Sequence, residues 1–179
     1  MTGFALRPAI EADLPALRAL MARAIAELQR GFLTPQEIAA SHSVMGLDTQ
    51  LVADGTYWLA EAAGGELAGC GGWSRRRTLY GGDHSTKLRD AGLLDPAVDA
   101  ARIRAMYTDP DFTRRGVGRL ILEVCEREAA AAGFRRFELM ATLAGVPLYR
   151  ACGYVPVEEV RAEPVDGVCV PLVRMRKDA

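Results

Sequence analysis

Residues 105–122 read Ala105-Met-Tyr-Thr-Asp-Pro-Asp-Phe-Thr-Arg-Arg-Gly-Val-Gly-Arg-Leu-Ile-Leu, and two kinds of periodicity meet within them. Arg102 to Thr108 reads as a strand. Val117, Leu120, Ile121, Val124 and Cys125 then recur at spacings of three, one, three and one, which is one face of a helix. Pro110 and the pair Gly116 and Gly118 separate the two. Gly133 closes the helix, and Phe134 to Thr142 is again strand-like. A strand, a glycine turn, an amphipathic helix and a second strand make a right-handed βαβ unit. Its two strands are expected to be parallel neighbours or near-neighbours.

The flanking sequence extends this unit at both ends. Phe4 to Arg7 suits a short first strand ahead of Pro8. Asp13 is placed to cap a helix with Pro15 in its first turn, carrying the apolar face Leu14, Leu17, Leu20, Met21, Ala24, Ile25 and Leu28. Thr34, Pro35 and Glu37 form a capping box for a second helix that stops at Gly46. Tyr57 to Ala62 and Leu67 to Ser74, separated by Gly64-Gly65, predict an antiparallel hairpin. Arg75 to Asp99 is a loop-rich insertion with one or two helical turns at most, within Ser85 to Leu94. Beyond the βαβ unit, Leu148 to Cys152 is a short helix ended by Gly153. Tyr154 to Glu163 and Val168 to Arg176 are the last strands, around the turn Pro164-Val165-Asp166-Gly167. The predicted class is α/β, an α+β mixed sheet in the order β-α-α-β-β-β-α-β-α-β-β. A single domain over residues 1–179 is expected, with helices on both faces of the sheet.

The glycine turn is a candidate anion site. Glycines let the backbone approach a ligand, and the helix beyond offers free amides and the positive end of its dipole. Arg114, Arg115 and Arg119 add local charge, and Arg102 and Arg104 stand close by in sequence. By itself the same turn also fits a plain strand–helix connection with solvated arginines. A Walker loop would end in Gly-Lys-Ser/Thr, whereas this one continues Gly-Arg-Leu. A dinucleotide fingerprint would put a third glycine where Ile121 stands and would open its domain. A third reading is a site for the pyrophosphate of coenzyme A.

This stretch resembles motif A of the GNAT superfamily of acyl-CoA-dependent N-acetyltransferases. Pro147-Leu-Tyr-Arg-Ala-Cys-Gly-Tyr154 resembles that family's motif B. The element order is similar too, over roughly residues 4–177. The resemblance implies a GNAT-like fold whose fourth and fifth strands splay apart. It implies that the backbone of Met106, Tyr107 and Thr108 meets the pantetheine arm and acetyl group of acetyl-CoA, and that Arg114, Arg115, Gly116, Val117, Gly118 and Arg119 wrap the pyrophosphate. Tyr149 matches the tyrosine that protonates the departing thiolate. Thr113 replaces the usual Gln or Arg, and Thr142 stands where an Asn often contacts the cofactor arm. Trp73 and Tyr80 are candidates for the acceptor side. The implied reaction is direct acetyl transfer to the primary amine of a small molecule, within a ternary complex. The alternatives are a protein N-terminal or lysine acetyltransferase and a non-catalytic acyl-CoA sensor or partner module. A homodimer is compatible with similar proteins.

Composition bounds these readings. The chain of 179 residues carries 22 Lys and Arg against 23 Asp and Glu, a net charge of -1, which argues against a nucleic-acid partner. Mean hydropathy is +0.03 and no apolar run is long enough to span a membrane. The N-terminus lacks a secretory pattern, and Cys70, Cys125, Cys152 and Cys169 form no Cys-x-x-Cys pair. A cytoplasmic protein without a metal site is expected, since His42 and His84 are too few and too scattered for one. Glu61, Glu138, Asp109, Asp83 and His84 are candidate general bases, none singled out.

Overall fold

The computed structural model describes residues 3–179. Seven strands form one sheet: β1 (Phe4–Pro8), β2 (Tyr57–Ala62), β3 (Leu67–Ser74), β4 (Ala101–Thr108), β5 (Arg136–Thr142), β6 (Val155–Arg161) and β7 (Pro171–Asp178). They lie in the order β1-β2-β3-β4-β5-β7-β6. All neighbours are antiparallel except β4 and β5. The predicted parallel pair is there, but it is short. Only Ala101 with Phe137 and Arg102 with Glu138 are partnered, and beyond them the strands diverge.

Helices cover both faces. Helix α4 (Val117–Ala131) buries Ile121, Leu122, Val124, Cys125 and Ala129 against Ile103, Phe137, Leu139 and Met175. On the opposite face α1 (Leu14–Leu28) packs Leu17, Leu20, Met21, Ala24 and Ile25 against Tyr57, Leu59, Cys70 and Tyr107. Helix α2 (Pro35–Val44) covers the β6–β7 end with Ala40 and Val44. Its predicted capping box forms: Thr34 Oγ1 accepts the Glu37 N–H, and the Glu37 carboxylate accepts the Thr34 N–H. Short helices α3 (Thr49–Ala53) and α5 (Val146–Ala151) complete the set. No helix of the described residues is long and apolar enough to cross a membrane.

Some local expectations are corrected. Asp13 stands at the N-cap position of α1 but makes no side-chain cap bond: its carboxylate accepts the Ile10 N–H of the preceding 3-10 turn and pairs with Arg7 at 2.7 Å. Helix α3 was not foreseen, because its five residues give no period; the Asp48 side chain caps it through the Gln50 N–H. The segment between β3 and β4 contains one 3-10 turn, Thr86–Leu88. Phe134 precedes β5 as a buried core residue.

Strand β3 carries Gly69, Gly71 and Gly72 in its interior, which ordinarily weakens a strand and marks a bulge or close approach. Here the pairing with β4 slips: Cys70 faces Tyr107 but Gly72 faces Arg104, so Gly71 alone opposes Ala105 and Met106. A Cβ on Gly71 would lie 2.2 Å from Met106 Sδ. One on Gly72 would lie 2.7 Å from both the Thr56 carbonyl and the Tyr57 ring. Thr56 O is backbone and has little freedom to yield. Replacing Gly72 by Ala is therefore expected to lower stability by about 1–3 kcal/mol, the range for overpacking a dense interior, as read from urea denaturation.

Candidate active site

The divergence of β4 from β5 creates the site. Asp109 N–H bonds to the Ala68 carbonyl on β3 at 2.9 Å. Strand alternation then turns the Thr108 N–H and carbonyl the other way, into the gap that β5 leaves. A cleft of about 630 Å³ occupies this gap, within the usual range for small-ligand sites. Its walls include Met106, Tyr107 and Thr108 on β4, Thr142 at the end of β5, Leu148 and Tyr149 on α5, and the turn into α4.

That turn is built for close approach. Asp109 accepts the Asp111 N–H at 3.0 Å, opening a 3-10 turn at Pro110–Phe112, and Arg23 on α1 pairs with Asp109 and Asp111. Arg114 (φ 61) and Gly116 (φ 84) then both adopt left-handed conformations. For Gly116 this costs little, whereas Arg114 carries a Cβ there. The first-turn amides of α4, at Val117, Gly118 and Arg119, have no intrahelical acceptor and face the cleft end. Gly118 serves a second purpose as well: a Cβ on it would meet Leu148 Cδ2 at 2.8 Å, so glycine lets α5 seat against α4.

The expected arginine concentration is corrected. Of the five arginines between Arg102 and Arg119, only Arg114 and Arg119 line the cleft. The Arg115 guanidinium lies over Phe112 and Phe4, 5.0 and 5.5 Å from their centroids. Arg102 pairs with Glu138, and Arg104 with Asp48 at 2.6 Å. These three side chains have partners within the protein.

Tyr149 sits where two cavities meet. The cleft and a smaller chamber of about 90 Å³ share Met45, Met106, Tyr107, Thr142 and Tyr149. Burial pushes the Tyr149 hydroxyl well above the usual tyrosine range, so it keeps its proton. Its ring packs edge-on against Tyr154, with centroids 5.9 Å apart. Tyr107, likewise buried and raised, accepts the Gly46 N–H at 2.9 Å, tying the end of α2 to β4. Thr142 Oγ1 accepts the Gly145 N–H at 3.2 Å.

On the acceptor side the two sequence candidates part. Tyr80 lines the chamber and also a surface groove of about 230 Å³ that includes His84, Lys87 and Glu163. Trp73 does not reach any of these cavities. It is a core residue, edge-on to Phe134 at 6.1 Å with Arg75 stacked over it. The candidate bases are all engaged. Glu61 pairs with Arg7, Asp109 with Arg23, and Asp83 with Arg89 and Thr49. Glu138 is held between Arg102 and Arg174, and His84 Nε2 lies 2.6 Å from the Ser43 carbonyl.

The sequence matches the profile of the Acetyltransferase (GNAT) family over residues 20–154. The chain belongs to that family. Among solved structures, a GCN5-related N-acetyltransferase from Rhodopseudomonas palustris superposes with a TM-score of 0.72 at 20% identity, covering 100% of this chain and 98% of that one. A phosphinothricin acetyltransferase from Sinorhizobium meliloti, in complex with AcCoA, gives 0.64 at 20% identity, with 99% and 89% covered. A ribosomal-protein-alanine N-acetyltransferase from Brucella melitensis gives 0.64 at 19%, with 98% and 99% covered. No curated protein sequence matches the chain. This GNAT acetyltransferase thus shares its whole architecture with remote relatives.

One feature of the site left no periodic signal in the sequence. Asp48 is sequestered from solvent and Arg104 nearly so, and Arg89 bonds the same Asp48 carboxylate at 2.9 Å. Arg104 also donates to the Gly81 carbonyl at 2.6 Å. This network pins the Tyr80–Gly82 loop and the α2–α3 turn against β4. Changing Asp48 to Ala would strand the buried Arg104, and an unfolding free energy lower by about 3–5 kcal/mol is expected in urea titration.

Proposed function

We propose that this acetyltransferase moves an acetyl group from acetyl-CoA to the primary amine of a small molecule, by direct attack within a ternary complex. The observation that carries this reading is Tyr149, protonated and placed at the junction of a ligand-sized cleft with a second chamber. The cleft fits the donor. The left-handed Arg114 and Gly116 curl the chain around an anion's place, the free amides of Val117 to Arg119 point to it, and Arg114 and Arg119 supply charge. The donor brings an activated thioester.

Each residue then has a task. The amide of Thr108, directed into the gap, and its neighbours Met106 and Tyr107 orient the arm and stabilise the oxyanion that develops at the acetyl carbonyl. Thr142 faces the same point from β5. Tyr149 donates to the thiol sulfur as it departs. The amine enters through the chamber bounded by Tyr80. Its volume of about 90 Å³ suits a slender amine-bearing end rather than a bulky one. The incoming ammonium, with a pKa of about 10, must lose a proton before attack. Because arginines hold the nearby carboxylates, water carries that proton away. Buried free thiols at Cys70 and Cys125 suit a reducing compartment, and we place the reaction in the cytoplasm.

The test is thiol release from acetyl-CoA over a panel of amines; a panel without turnover, alongside intact acetyl-CoA binding, supports a sensor instead. In the active case, Tyr149→Phe is expected to lower kcat about a hundredfold while acetyl-CoA affinity stays nearly constant. Unchanged kcat removes Tyr149 from the mechanism. The pH profile follows from the direction of its shift. A raised pKa keeps the acid form as pH climbs past about 10, where an exposed tyrosine titrates. So kcat/KM should rise with pH as the amine loses its proton, with no descending limb below about pH 10.

A further inference from the structure

Tyr57 lies outside every cavity of the site, 1% exposed in the layer beneath α1. Its hydroxyl nevertheless donates a 2.7 Å hydrogen bond to the Ala105 carbonyl. The two residues are two strands apart. Pairing sets Tyr57 opposite Gly72, and Gly72 opposite Arg104, so the three stand abreast on β2, β3 and β4. The Tyr57 ring crosses over Gly72, and this is the contact that a Cβ there would violate.

The carbonyl it reaches belongs to an unusual residue. Ala105 has φ 50, a left-handed conformation that residues with a Cβ resist. It is also the residue at which β4 slips by one against β3. From this point β4 runs on as Met106, Tyr107 and Thr108, the segment that borders the cleft. A bulge inserts one residue and re-aims everything after it, and a one-residue slip exchanges which groups face each side of a strand.

We propose that Tyr57 is a positioning residue for the acetyl-transfer site: its hydroxyl anchors the Ala105 carbonyl, holding the left-handed bulge that aims Met106–Thr108 into the gap between β4 and β5. The kinetic consequence rests on the N-acetyltransferase reading; the geometric one does not. The anchor is specific in its chemistry. A partly buried carbonyl without a donor is unfavourable, so the hydroxyl both satisfies the group and favours the strained conformer over the extended one. Burial raises the Tyr57 hydroxyl well above the usual range, so it remains a donor at any working pH. Phenylalanine would keep the ring over Gly72 and lose the bond to the Ala105 carbonyl, together with the hydroxyl's contact to the Cys70 thiol. Glycine at position 105 would adopt φ 50 without strain and so need the anchor less.

The test compares Tyr57→Phe, Ala105→Gly and the double variant by steady-state kinetics and by hydrogen exchange of the β4 amides. For Tyr57→Phe, kcat is expected to fall about tenfold with the KM for acetyl-CoA within about twofold, as for a misaimed reacting group. Ala105 also lines the chamber, so Ala105→Gly alone is the reference against which the double variant is read. The double variant should regain most of the lost kcat, which recovery of packing alone would not produce. Exchange over residues 103–108 should accelerate in Tyr57→Phe and recover in the double variant, with the other strands unchanged. An unaltered kcat in Tyr57→Phe, a double variant as slow as the single, or a uniform rise in exchange across the sheet would each overturn the proposal. A parent enzyme that acetylates no amine removes the functional reading instead, and the exchange comparison then decides the anchor by itself.

Discussion

A parallel strand pair that lets go after two residues governs the rest of this structure. Partnered strands satisfy their peptide groups, whereas separated ones leave them to a ligand or to water. Beyond Arg102 and Glu138, β4 has no partner on its β5 side. The fork is pinned at its base, where Glu138 on β5 binds Arg102 on β4 and Arg174 on β7. The open end is kept open by what lies there: α4 starts above it and α5 brings Leu148 and Tyr149 against it. The cleft is the part of the sheet in which strand pairing has been given up, and every candidate contact to a donor follows from that.

Charge is organised around the same fork. A chain with almost equal numbers of acids and bases has room for many neutral pairs, and this one places several of them in or near the sheet. Arg102–Glu138–Arg174–Glu158 runs across four strands, and Arg104–Asp48–Arg89–Asp83 fastens two loops to β4. Buried pairs of this kind contribute little net stability over an apolar core of the same shape, but breaking one is costly. They therefore act on geometry. The loops that border the smaller chamber are held to β4 by these ion pairs as well as by apolar residues such as Leu47 and Tyr80.

The sequence disclosed the frame more readily than the site. The βαβ unit was legible because the helical period of Val117 to Cys125 and the turn glycines depend on neighbours a few residues away. The capping box of α2 was legible for the same reason. What escaped was long-range. Nothing in Arg115 itself distinguishes an arginine facing phosphate from one lying on Phe4 and Phe112, because Phe4 is over a hundred residues away in sequence. Trp73 looked like a pocket residue for being an aromatic beside a basic loop, yet strand alternation sends it into the core with Phe134. Gly69, Gly71 and Gly72 are a long-range signal that the sequence reading left unused: glycines inside a strand mark a close approach without naming what approaches.

The chemistry that remains at the centre of the cleft is neutral, and this follows from the same geometry. Arginines hold the carboxylates named as bases, and the tyrosines at the junction are too deeply buried to ionise. A charged acid at that point would need its own counter-ion, and the counter-ion would compete with the phosphates for Arg114 and Arg119. A tyrosine avoids the conflict. Its pKa lies above that of a departing thiol, about 8.5, so it does not hand over its proton in the ground state. In the proposed mechanism it donates most strongly when negative charge gathers on sulfur, which is the transition state. Burial keeps the Tyr149 hydroxyl protonated, so in the proposed mechanism the donor adds no net charge at rest.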